Sequence, residues 1–145
     1  MGKRTYYTNQ IDAFIKSHRL EKRVHLLHDV TFQYLPAIYQ QAEIFVYPSR
    51  FEGFGIPIIE ALHSGIPVIA ATGSCLEEAG GPDSLYVHPD DKEGMTKAIC
   101  SLLNHPEKRQ HMIEQGLKYV TRFSEQRQAE ELMNLYRSLT EEKTI

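Results

Sequence analysis

The 145-residue chain is 41% apolar and 24% charged, with a net charge of −3, the balance of one ordinary globular domain with its own core. No block of Lys and Arg marks a nucleic-acid interface, and no apolar stretch approaches the ~18–20 residues of a transmembrane segment. Met1-Gly2-Lys3-Arg4 opens no signal sequence, Tyr6 stands where a myristoylation site needs Ser or Thr, and two cysteines are too few for a disulfide framework or zinc site; a cytoplasmic protein is expected.

In chain order, residues 8–18 read as a helix with Ile11, Phe14 and Ile15 on one face. Val24-His25-Leu26-Leu27 reads as a short strand, followed by a loop at His28 and Asp29. Leu35, Ile38, Tyr39 and Ala42 repeat at i, i+3, i+4, i+7, an amphipathic helix. Ile44-Phe45-Val46-Tyr47 is an apolar, β-branched and aromatic run, so a buried strand, stopped by Pro48 and Ser49. Pro57 suits the first turn of the next helix, where its absent N–H costs nothing, and Gly65 suits its C-terminal cap. Residues 67–70 form the next strand, 71–74 a loop, 77–81 a turn or short helical piece, and 85–87 a last strand. Asp90 and Glu93 resemble a capping box ahead of a stripe made by Met95, Ala98, Ile99, Leu102 and Leu103, with Cys100 as a small core residue on the same helix. His105-Pro106 breaks that helix; another runs 107–121. Ser124 caps the last, which turns Leu132, Leu135, Tyr136 and Leu139 inward.

Strands alternating with helices predict an α/β fold, a Rossmann-like parallel sheet with helices on both faces. The 145 residues read as a single, partial domain with C-terminal helices over about 107–140. Ligands on such sheets bind at the carboxyl ends of the strands. The loops 28–31, 49–55 and 71–75 all follow strands and are expected to converge there.

The 49–55 loop carries the chemistry. The first N–H groups of a helix lack internal partners and sit at the positive end of its dipole. Gly53 and Gly55 let a ligand approach the backbone. Together these make an anion site fit for a diphosphate. Glu52 and Glu60 flank it. Carboxylates beside a phosphate make sense if they reach past it to hydroxyl groups, and a nucleotide-sugar has hydroxyls at both ends. The plainer reading of the pair is a solvated loop acid and an acid in a first helical turn favoured by the dipole.

The run P-S-R-F-E-G-F-G-I-P-I-I-E-A (48–61) resembles the signature of the large retaining glycosyltransferase family four, of the GT-B fold class, with Glu52, seven residues, then Glu60. A lone pair at that spacing is weak. H-S-G-I-P-V-I-A-A (63–71), Glu77-Glu78-Ala79-Gly80, Y-V-H-P-D-D (86–91) and the late Phe123-Ser124 extend the resemblance over most of the chain. It implies that backbone N–H groups of Gly53, Phe54 and Gly55 hold the diphosphate and that Glu60 binds the ribose hydroxyls. Glu52 is implied as the catalytic candidate, holding donor-sugar hydroxyls near the reacting carbon rather than acting as nucleophile. Ser49 and Arg50 are implied as donor-binding, and His28, Asp29 and Val30 as lining the base, although many members have Gly where His28 stands.

The resemblance implies transfer of a sugar from a UDP- or GDP-sugar to an acceptor, with retention, in polysaccharide or glycoconjugate synthesis. It places the acceptor, a saccharide or lipid, on an absent N-terminal domain, makes the full-length enzyme cytoplasmic or membrane-peripheral, and leaves this fragment inactive alone. The first two strands of the C-terminal domain are then absent as well, with Gly2-Lys3 leaving the second. In the order 3-2-1-4-5-6 the strand at 24–27 would stand apart from the other three. Metal-independent chemistry is expected, because the seven histidines show no ligand spacing. Competing readings are a non-catalytic nucleotide- or carbohydrate-binding module and a flavodoxin-like signalling domain. The last lacks acidic partners around Asp29.

Overall fold

The computed structural model describes residues 4–73 and 75–141. The readings of residues 1–3 and of Ser74 lie outside these. The chain divides into two compact units, Met1–Ile38 and Tyr39–Ile145.

The first unit contains α1 (Tyr6–Ser17). Thr8 Oγ1 accepts the Thr5 N–H at 3.0 Å, satisfying one of the orphan donors at that helix start. Of the predicted apolar face, Ile15 is buried; Phe14 is exposed and stacks on His18 with ring centroids 4.0 Å apart. Residues 24–27 do not form the predicted strand. A strand exists only where a neighbour takes up its backbone N–H and C=O groups. Among the described residues no strand pairs with this run, and Val24 and Leu27 are exposed. A 3-10 turn at Phe32–Tyr34 leads into α2 (Leu35–Gln40), which stops short of the predicted Ala42.

The second unit runs β1 (Phe45–Tyr47), α3 (Ile56–His63), β2 (Val68–Ala71), α4 (Leu76–Gly80), β3 (Leu85–Val87), α5 (Lys92–Asn104) and α6 (Pro106–Val120), then a 3-10 turn Thr121–Phe123 and α7 (Glu125–Glu141). The strands pair in parallel in the order β1-β2-β3, with Phe45 opposite Val68 and Ile69 opposite Leu85. Side chains alternate between faces, as strand geometry requires. Phe45, Tyr47, Val68, Ala70 and Tyr86 pack with Ile58, Leu62 and Leu76 of α3 and α4. Val46, Ile69, Leu85 and Val87 pack on the opposite face with Leu102 of α5 and Met112 of α6. Every residue of β2 is buried, so this strand is the centre of the fold.

Several sequence expectations change here. The cap of α5 is Asp91, whose carboxylate accepts the Gly94 N–H at 2.8 Å, not Asp90. Cys100 is exposed, and Leu103 lies outside the buried stripe at 51% exposure. Leu132, Leu135, Tyr136 and Leu139 of α7 are each about half exposed rather than turned into the core. The sequence period shows that a helix has an apolar face; what covers that face is a tertiary fact.

Candidate functional site

Parallel strands put all their carboxyl ends on one edge, so the segments after β1, β2 and β3 meet there. The Cys75 thiol, after β2, donates to the Glu52 carbonyl at 3.3 Å. Arg50 pairs through both terminal nitrogens with Asp90, after β3. Both partners of that ion pair are mostly exposed, so it holds the loop's position more than it adds stability. Arg50 raises the acidity of Asp90 and is itself pushed up by it. Its charge is therefore largely countered at the loop rim.

Glu52 is half-buried and anchored through a single oxygen. Oε1 accepts from the Tyr47 hydroxyl at 2.6 Å and from the Ser49 hydroxyl at 2.8 Å. These two donors favour the anion and hold the Glu52 carboxyl below its ordinary range, Tyr47 contributing most. Burial, then the carboxylate beside it, pushes the Tyr47 phenol up to about 12, so it remains a donor at neutral pH. The sign for stability follows from linkage. A carboxyl whose folded pKa is depressed stabilises the fold above its unfolded pKa, and that contribution is lost as pH falls through the folded value. A side-chain carbon NMR titration is expected to show Glu52 protonating at lower pH than an ordinary glutamate; an ordinary midpoint would mean the two hydroxyl bonds do not persist in solution.

Glu60 accepts from the Tyr39 hydroxyl through Oε2 at 3.0 Å. Burial first, then Glu60, raises the pKa of Tyr39 well above that of a free phenol. Glu60 is the fifth residue of α3, and no acid lies in that helix's first turn. The dipole effect fades within the first turn, so the plainer account of Glu60 as a dipole partner loses its support.

Between the two acids, Gly55 caps α3 in the left-handed conformation at φ 96°, and Pro57 is at the second helical position. Nothing lies within 4 Å of where a side chain on Gly53 would start, so its backbone is open to approach. Phe54 is held edge-on against Phe123, with centroids 5.6 Å apart. The structure thus gathers Ser49, Arg50, Glu52, Gly53, Phe54, Gly55 and Glu60 in the second unit. His28, Asp29 and Val30 lie in the first; Asp29 has φ 55° and His28 lines a cavity of about 390 Å³ with Arg4 and His25. Among the described residues no three His, Cys, Asp or Glu side chains are grouped as a metal set.

The profile of the family described as glycosyl transferases group 1 matches residues 4–119. The chain belongs to this family. A group 1 relative, the O-antigen chain mannosyltransferase RfbU of Salmonella typhimurium, is 38% identical over 104 residues, covering 72% of this chain and 30% of the relative. The D-inositol 3-phosphate glycosyltransferase of Corynebacterium urealyticum is 35% identical over 107 residues, 72% of this chain and 25% of that protein. The chain thus spans under a third of the length of these group 1 relatives. Its fold superposes on sucrose-phosphate synthase from Thermosynechococcus elongatus with a TM-score of 0.80 and 29% identity, over 93% of this chain and 35% of that one. It also superposes, at TM-score 0.65 and 23% identity, on the C-terminal domain of a group 1 family protein from Francisella tularensis, over 79% of this chain and 60% of that chain. The fold is that of the C-terminal domain of GT-B glycosyltransferases. No helix of the described residues is long and apolar enough to cross a membrane.

The sequence reading of this group 1 domain missed Tyr39, Tyr47, Cys75 and Asp90 as partners of the candidate site residues. Tyr39 and Tyr47 were legible only as core aromatics. A buried tyrosine needs a partner for its hydroxyl, and that is the signal that could have singled them out.

Proposed function

We propose that the chain is the donor-binding part of a retaining glycosyltransferase that uses a UDP- or GDP-sugar and builds a polysaccharide or glycoconjugate. The observation that carries this reading is the pair of tyrosine-anchored carboxylates on either side of a glycine loop entering a helix. The loop and helix start offer N–H donors and a positive dipole end to a diphosphate. Each carboxylate takes its tyrosine on one oxygen and keeps the other for ligand hydroxyls. Glu60 would take ribose hydroxyls and Glu52 donor-sugar hydroxyls. Catalysis then rests on holding the donor and stabilising the departing diphosphate, and Glu52 is not assigned as a nucleophile. The names of the relatives, a mannosyltransferase and a glycosyltransferase, support a sugar donor, and Anabaena HepE, of the same fold at 21% identity, is described in complex with UDP.

A structure with UDP or GDP bound is expected to show its phosphates at the N-terminus of α3. Phosphates at another strand end would defeat the assignment. The acceptor is proposed to bind on the part of the protein that corresponds to the unmatched length of the relatives. These 145 residues alone are therefore expected to transfer no sugar. Turnover by the purified chain would overturn that placement, and nucleotide binding without transfer at full length would favour a non-catalytic module.

A further inference from the structure

We propose that Tyr39 and Tyr47 are positioning residues, joined through Phe45 into one aromatic rail that sets where the two acids of the donor site stand. The proposal rests on the donor-binding reading and assigns the site a second layer. Phe45 and Tyr47 are stacked, with centroids 5.7 Å apart and planes at 17°. Tyr39 meets Phe45 edge-on at 5.4 Å. All three rings pack against the core that Ile58, Ala61 and Leu62 of α3 help to form. The helix that carries Glu60 and the strand that leads to Glu52 are therefore registered by the same row of rings.

The two ends of the rail act alike. The Tyr39 hydroxyl donates to Glu60 Oε2 at 3.0 Å and the Tyr47 hydroxyl to Glu52 Oε1 at 2.6 Å. A carboxylate only accepts, and a buried phenol that keeps its proton only donates to it, so each bond has one polarity. Each acid is thereby turned to present its other oxygen. Long acidic side chains otherwise lose rotamer freedom when they bind, and rings fixed by packing remove part of that cost beforehand. Ser49 shares the work on Glu52. Among the described residues Tyr39 is the sole side-chain donor to the Glu60 carboxylate, so its placement depends more on Tyr39.

The test uses the full-length protein, with UDP, GDP, UDP-glucose and GDP-mannose titrated calorimetrically. Tyr39→Phe is expected to weaken nucleotide and nucleotide-sugar by the same factor, roughly fivefold for one lost hydrogen bond. Tyr47→Phe should leave the nucleotide unchanged and remove roughly fivefold of what the sugar adds in affinity. Phe45→Leu keeps an apolar side chain but breaks the rail, and should show both deficits together. A general loosening of the fold would weaken all ligands alike in all three variants. That pattern, or wild-type binding throughout, overturns the proposal while leaving the donor-binding reading intact. If the wild-type protein binds none of the four probes, the donor-binding reading itself fails, and the rail's role falls with it.

Discussion

Glu60→Ala is expected to weaken nucleotide binding ~10-fold or more, while Glu52→Ala leaves that binding near the wild-type value and depresses sugar transfer. A hydrogen bond to a charged group is worth roughly 1.5–3 kcal/mol, which sets the size of the effect. The alanine at position 60 also strands the half-buried Tyr39 hydroxyl, which now donates to Glu60 at 3.0 Å. Glu60→Gln separates the two contributions, because the amide oxygen still accepts from Tyr39 while the charge is gone. The measurement is calorimetry with UDP and GDP at fixed salt, followed by transfer assays on the full-length protein. Wild-type binding and wild-type transfer in both alanine variants would return the pair to two solvated acids with no shared purpose.

Gly55→Ala is expected to destabilise the fold by about 2–4 kcal/mol, whereas Gly53→Ala should stay within about 0.5 kcal/mol of wild type. Gly55 has φ 96°, where a side chain costs roughly 1–2 kcal/mol on backbone grounds alone. A Cβ there would also stand 3.0 Å from Leu76 Cδ2 and 3.1 Å from Ala79 Cβ, against the buried face of α4. Leu76 and Ala79 are fully buried and have no room to withdraw. Gly53 meets none of these conditions. Urea unfolding of the two variants separates them directly. Equal midpoints would show that the loop enters α3 differently from the geometry described. Such a result would also disturb the proposed anion site, which depends on that entry angle.

Much of the second unit was legible because its signals are local. Ile44–Tyr47 is bounded by Pro48, α3 is bracketed by Gly55 and Gly65, and β2 is a continuous apolar run. Residues 24–27 carry an equally good strand pattern and still form none, because a strand is a property of a pair and the pattern describes one member. Asp90 and Asp91 are adjacent and chemically identical, so spacing alone could not say which would cap α5 and which would meet Arg50. Glu52 and Glu60 were visible as candidates; the tyrosines that hold them were not. Tyr39 is 21 positions from Glu60, and only the packing of α3 on the sheet brings them together.

The order of the strands in the sheet is also their order along the chain. Each pairing, Phe45 with Val68 and Ile69 with Leu85, therefore closes a segment of only about twenty residues, a modest entropic demand on the unfolded chain. No long excursion must be completed before the first contact rewards it. The second unit can thus assemble from neighbouring pairs, β1 meeting β2 through α3 and β2 meeting β3 through α4. The segment that brings β1 to β2 is the one that contains the glycine loop and both acids. Closing that pair therefore also closes the glycine loop, so the loop takes its shape with the sheet rather than being fitted onto a finished one.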